Sequence, residues 1–267
     1  MASYSAFCQP ERNAFETRVS GHDRMTLVKN SIQLTAWHEK PFWALYDNYI
    51  AKIKEASLTY AAVDELAKTD STVSDQVAFE NAMKLLTFRN KEIDVWKQYF
   101  GKVGVAHNGI IALQFLQTEA LIDIMESSDI YECVPNRNFY FHFNVPDSTP
   151  SEKDKYVAMT KALCLQPGET KNFFAIYANY EKECSDTLGE NYNLFDMFVD
   201  NPSDYTPAMA KTLGTNLLIV MKREIRLKEK YFTEMNKIIG PSLAARFLAW
   251  EDYYSTLSKM QVWAESP

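Results

Sequence analysis

Apolar positions along the chain recur at steps of three and four. Phe42, Leu45, Tyr46, Tyr49 and Ile53 fall on one such stripe, which predicts an amphipathic helix with an aromatic inner face. Thr35 stands where it can cap the start of that helix. Pro41 must lie in or near its first turns, since a proline deeper in the helix would kink it. The same kind of stripe returns in the second half of the chain, with Pro167-Gly168 marking the entry.

The two stripes share a register. Phe42, Leu45, Tyr46, Asn48 and Tyr49 match Phe173, Ile176, Tyr177, Asn179 and Tyr180, all at an offset of 131 (173 − 42). A second block matches at 132 (217 − 85). There Leu85-Leu86, Glu92-Ile93 and Tyr99-Phe100 return as Leu217-Leu218, Glu224-Ile225 and Tyr231-Phe232. Ala112, Phe115, Leu116 and Glu119 return as Ala244, Phe247, Leu248 and Glu251. Chance likeness between amphipathic helices would match apolar positions, but not Asn, Glu and Tyr in register, so the pattern reads as a tandem duplication.

The expectation is an all-α chain of two tandem repeats. Each is a four-helix unit with a long antiparallel helical hairpin, and an extended aromatic linker joins them. The boundaries are an N-terminal extension over 1–21, repeat 1 over 22–131, the linker over 132–153 and repeat 2 over 154–264. Asp70-Ser71-Thr72 and Asn201-Pro202-Ser203 break the long hairpins, and Asn108-Gly109 and Gly240-Pro241 precede the last helix of each repeat. The long helices should run for roughly 30 residues, or about 45 Å. Pro135, Pro146 and Pro150 exclude a helix in the linker. Its aromatic run leaves two readings: a strap packed against the helices, or a partner-binding surface made of Phe139, Tyr140, Phe141 and Phe143. Trp43, beside the buried stripe, is a further candidate for partner contact.

Composition supports this picture and narrows the function. With 46% hydrophobic residues, 13% aromatic residues and 8 glycines, a 267-residue chain can bury a large helical core. The net charge of −7 argues against nucleic acid and against anionic lipid as partners. No apolar run approaches the roughly 20 residues of a membrane span, so membrane insertion is not expected.

Candidate chemistry is sparse. There is no phosphate loop, no GxSxG and no HExxH. His22, His38, His107 and His142 lie far apart in sequence and read as surface or loop residues. Four glutamates recur as pairs, Glu92 with Glu224 and Glu119 with Glu251, as carboxylates do in di-iron bundles. Such a site also needs Glu-x-x-His, but Ile122 and Tyr254 stand where the histidines would be. These glutamates are expected instead to pair with lysine or arginine, or to accept a tyrosine hydroxyl, at the core edge. No catalytic residue, metal ligand or cofactor is assigned. Cys8, Cys133, Cys164 and Cys184 form no CxxC pair and read as buried thiols, though an even count permits disulfides in an oxidising compartment.

Two segments carry a family resemblance. Asn30-Ser31-Ile32-Gln33-Leu34-Thr35 with Phe42-Trp43-Ala44-Leu45-Tyr46-Asp47-Asn48-Tyr49 resembles the Spy/CpxP-like (LTxxQ-type) helical proteins of bacterial envelopes, in an uncharacterised branch. Tyr231-Phe232, Ile238-Ile239-Gly240-Pro241 and Ala244-Ala245-Arg246-Phe247 resemble that branch's second signature. His38 stands where the motif has glutamine, and the second copy reads Leu165-Gln166-Pro167-Gly168-Glu169. The resemblance implies a periplasmic location with a removed signal peptide, and chaperone-like binding of an unfolded client or peptide. The alternatives are an accessory subunit of a cell-envelope complex and, third, a metal-binding helical bundle. All but the last make the chain a non-enzymatic protein whose partner is another protein.

Overall fold

A computed structural model describes residues 24–69, 74–132, 155–163, 165–188 and 204–264. Among them the chain is all-α: eight helices and no strand. In order they are α1 (Arg24–Ser31), α2 (Ala36–Thr69), α3 (Asp75–Ala106), α4 (Gly109–Glu132), α5 (Lys155–Ala162), α6 (Pro167–Leu188), α7 (Pro207–Ile239) and α8 (Pro241–Ala264). The expected hairpin breaks at 70–72 and 201–203, the N-terminal extension and the aromatic linker lie outside the described residues.

Local chemistry sets the helix ends. The Asn108 side chain accepts the Ile110 and Ile111 amides at 2.9 and 3.0 Å and caps α4. Ser74 and Thr206 hydroxyls accept amides at the starts of α3 and α7. Glu169 reaches back to the Gln166 amide at 2.9 Å, closing a capping box ahead of α6. Gly240 (φ 84°) ends α7 in the left-handed region, and Pro241 opens α8 at once. Pro41 is the sixth residue of α2, close to its first turn.

The chain forms two compact units, neither of them continuous in sequence. Unit 1 comprises residues 1–57, 91–134 and 193–219, and unit 2 comprises 58–90, 135–192 and 220–267. In unit 1 the aromatic stripe of α2 is buried as Phe42, Tyr46, Tyr49 and Ile53, while Leu45 is half-buried. It meets Tyr99 of α3 and Phe115 of α4 edge-on, with ring centroids 5.5 and 5.1 Å from Tyr49. Helix α4 is buried on every side from Ile111 to Ala120, polar Gln114, Gln117 and Thr118 included.

Unit 1 also takes in the start of α7. A side-chain carbon on Gly109 would fall 1.9 Å from the Pro207 carbonyl oxygen. One on Gly214 would fall 2.4 Å from the Phe100 ring. Only glycine permits these approaches.

Unit 2 buries Phe173, Ile176, Tyr177 and Tyr180 of α6 against Tyr231 and Phe232 of α7 and Phe247 and Trp250 of α8. Ala78, Ala82 and Leu86 from the first half of α3 join this core, and Phe79 stacks on Phe232 at 5.2 Å. Lys222 donates to the Asn90 carbonyl at 3.1 Å. Unit 1 therefore draws the start of α7 from the second half of the chain, and unit 2 draws the end of α2 and the start of α3 from the first.

Gly109→Ala forces backbone apart and should cost about 1–3 kcal/mol, the usual range for overpacking. Gly101→Ala, with open space around it, should be neutral or gain up to about 1 kcal/mol of helix propensity. Urea denaturation midpoints of the two variants separate the effects.

Candidate functional site

The polar groups of unit 1 converge on Glu119, whose side chain is 1% exposed in the middle of α4. The Tyr46 hydroxyl donates to it at 2.9 Å and the Tyr49 hydroxyl at 2.6 Å. Arg24, at the start of α1, donates from Nη2 to the same carboxylate and from Nε to the Tyr46 oxygen at 3.1 Å. A buried carboxylate with an arginine and two phenols has its charge and most of its lone pairs satisfied. Burial, followed by the Glu119 charge, holds both tyrosines far above the ordinary phenol range. They stay neutral donors.

Unit 2 repeats the arrangement around Glu251 of α8. Tyr177 donates to it at 2.9 Å, and the Tyr180 hydroxyl acts on the same carboxyl, helping to lower it. The ring geometry is reproduced closely. Tyr49 lies 5.6 Å from Tyr46 and 5.1 Å from Phe115; Tyr180 lies 5.9 Å from Tyr177 and 5.3 Å from Phe247. Phe42 stacks on Tyr46 at 5.9 Å as Phe173 does on Tyr177 at 5.8 Å.

The cation differs. Lys155 occupies the position 131 residues after Arg24, but it bonds Glu181 at 3.1 Å and lies over the Tyr177 and Tyr254 rings. Tyr156, beside it, donates to the same Glu181, and that bond pushes its phenol up to about 12. Burial raises the Glu251 carboxyl above its ordinary value, against the opposing pull of Lys155 and Lys228.

Around this core unit 2 carries Lys228 and Asp252 where unit 1 is apolar. Lys228 bonds Asp252 at 2.7 Å and Glu224 at 3.3 Å. Burial alone would lower its ammonium, but the two carboxylates outweigh burial and hold it above the ordinary lysine range. At the matching positions, 132 residues earlier, stand Trp96 for Lys228 and Ala120 for Asp252. Cys184 is a free, half-buried thiol pushed up to about 12 by burial, so it stays protonated and unreactive. Cys8, Cys133 and Cys164 lie outside the described residues.

The partner-contact candidates fare differently. Phe139, Tyr140, Phe141 and Phe143 lie outside the described residues. Trp43 is half-buried and packs edge-on against Phe42 and Tyr46 at 5.4 and 5.7 Å; Phe174 repeats the contact with Phe173 at 5.2 Å. No group of three or more His, Cys, Asp or Glu able to hold a metal occurs among the described residues.

One constellation escaped the sequence reading. His38 at the start of α2 and His107 after α3 meet with their Nδ1 atoms 2.7 Å apart. Their distances from the hairpin break were the available signal: 71 − 38 = 33 and 107 − 71 = 36 residues from Ser71. Arms of nearly equal length bring them to the same end of the pair. Three apolar side chains stand in solvent at that end of unit 1: Trp37 (90% exposed), Val105 (88%) and Met209 (55%).

No family model, characterised protein or solved structure matches the chain.

Two predictions follow from the carboxylate clusters. Arg24→Met strands a buried charge and should cost about 3–5 kcal/mol. Lys155→Met removes a more exposed cation and should cost well under half of that, with thermal denaturation of each variant as the check. The raised Glu251 carboxyl binds its proton more tightly in the folded state. Its stabilising contribution is therefore complete below the ordinary glutamate value of about 4.3 and is lost as pH rises through the folded value. Glu251→Gln, which keeps an acceptor for Tyr177, should remove that decline. Denaturation curves for both proteins from pH 4 upward would show the wild type losing ground relative to the variant.

Proposed function

We propose that this chain is a non-enzymatic binding protein of the cell envelope, built by tandem duplication of a four-helix unit. On this reading it holds an unfolded client or extended peptide on an apolar surface at the His38–His107 end of unit 1. The duplication is supported by helix starts that keep the sequence offsets. Arg24, Ala36, Asp75 and Gly109 are followed by Lys155, Pro167, Pro207 and Pro241, at 131, 131, 132 and 132 residues.

The single observation that carries the binding reading is the exposure of Trp37 and Val105. The matching positions in the second half are Gly168 and Lys237. The helical unit therefore does not need a large apolar side chain at either place for folding. Apolar groups with no packing role and nearly full exposure fit a surface that is covered by something else. Met209, in the same neighbourhood, widens the surface.

The extracytoplasmic location rests on the family resemblance of the Leu34-Thr35 and Tyr231–Phe247 segments. No helix among the described residues is long and apolar enough to cross a membrane. The tyrosines and glutamates of the two cores face each other at bonding distance, so their chemistry is used internally.

The test is suppression of aggregation when a chemically unfolded model protein is diluted into the full chain. The wild type should suppress it at near-equal molar ratio, with little dependence on salt. Trp37→Ser combined with Val105→Ser should lose at least half of the effect. No suppression by the wild type would discard client binding and favour an accessory subunit of an envelope assembly, whose partner native cross-linking would then capture.

A further inference from the structure

We propose that His38 and His107 form a two-imidazole binding site for a borderline divalent transition-metal ion: Ni2+, Cu2+ or Zn2+. In a hydrogen bond between two imidazoles, one Nδ1 carries the proton and the other aims its lone pair at it. Both ring nitrogens therefore point at one place, and their separation is 2.7 Å. A metal ion in that place, with metal–nitrogen bonds of about 2.0–2.1 Å, needs the nitrogens about 2.9 Å apart for a right angle and about 3.4 Å apart for a tetrahedral one. The rings need to part by less than about 1 Å and also to turn, because lone pairs that face each other along the line between the nitrogens do not both aim at an ion lying off that line. The rings stand edge-to-face, with centroids 4.8 Å apart and planes at 65°, so neither covers the other's donor atom.

The proton balance is simple. The shared proton moves from Nδ1 to Nε2 of the ring that held it. Both rings then stay neutral, with a free Nδ1 pair toward the metal, and none is released. His107 is already disposed to be neutral, because burial and the neighbouring His38 both lower its basicity. Its Nε2 is buried without a hydrogen-bond partner, so the proton it carries when Nδ1 binds the ion goes unpaired, a cost that the metal–nitrogen bond has to outweigh. Both histidines are half-exposed, which lets water fill the remaining metal positions. The chain's net charge of −7 favours the approach of a cation.

The matching positions in the second half are Glu169 and Ile239. Folding of the unit therefore does not demand two facing imidazoles, and the site is particular to unit 1. Imidazole is a good ligand for the ions named, and a poor one for Mg2+ or Ca2+. Bound metal would tie the start of α2 to the turn after α3 beside exposed Trp37.

The experiment is calorimetric titration of the full chain with NiCl2 at pH 7.5. One site should appear, at least tenfold weaker in His38→Gln and in His107→Gln and unchanged in His22→Gln and His142→Gln. Binding should weaken as pH falls, because protons compete with the ion for the imidazole nitrogens. Mg2+ should not compete. Undiminished binding in His38→Gln/His107→Gln, or no binding by the wild type, overturns the proposal. If either variant fails to fold, paramagnetic resonance of the Cu2+-loaded wild type decides. Nitrogen couplings from two imidazoles support the site; couplings from none or one overturn it.

Discussion

A carboxylate sealed inside a helical bundle sets the terms for everything packed around it. Glu119 has almost no contact with water, and an isolated charge there would cost many kcal/mol. Two tyrosine hydroxyls and a guanidinium make it tolerable, and each must come from a particular element. Tyr46 and Tyr49, three residues apart on α2, fix the rotation of that helix about its axis. Arg24 fixes where α1 lies. The polar interactions thus choose one arrangement among the many that aromatic packing alone would allow. Burial of the rings supplies the larger driving force, and the carboxylate supplies the register.

The second cluster meets the same demand by other means. Glu251 keeps the Tyr177 bond, but the matching cation bonds Glu181, and compensation comes from the charge of Lys155 at a distance and from Lys228, which is bound up with Asp252 and Glu224. A single strong pair is exchanged for a spread of charges, and the carboxyl is left with its proton held more tightly. Arg24 is well suited to the first site because its planar fork serves a carboxylate and a phenol together. A lysine offers a compact charge with no such fork, and Lys155 lies instead over aromatic faces.

Much of the fold could be read from residue spacing. The stripe through Phe42, Tyr46, Tyr49 and Ile53 is buried as its periodicity requires, and the breaks at Asn108-Gly109 and Gly240-Pro241 fall between helices. The expectation that the recurring glutamates accept tyrosine hydroxyls or pair with cations matches what surrounds Glu119 and Glu251, but both are buried inside the core and not at its edge, because those partners satisfy them there. Less legible was which cation serves which carboxylate, because Arg24 lies 95 residues from Glu119 and periodicity carries no information at that range. The borrowing of helix halves between units was hidden for the same reason. Amphipathic stripes say that a face is buried, not against what. His38 and His107 were read one at a time as surface groups; only the hairpin's symmetry about its break connects them.

Comparison of the chain with itself carries the functional argument further than its overall composition can. Where the two halves agree, as in the tyrosines and glutamates, the residues pack and compensate charge inside each unit. Where they differ, one half shows what the unit can do without. Trp37, His38, Val105 and His107 all differ, from Gly168, Glu169, Lys237 and Ile239, and all four lie at one end of unit 1. Exposed apolar side chains and facing imidazoles thus fall together at the start of α2 and the end of α3. The proposed client surface is drawn from that gathering, because apolar groups in solvent fit a face that something else covers.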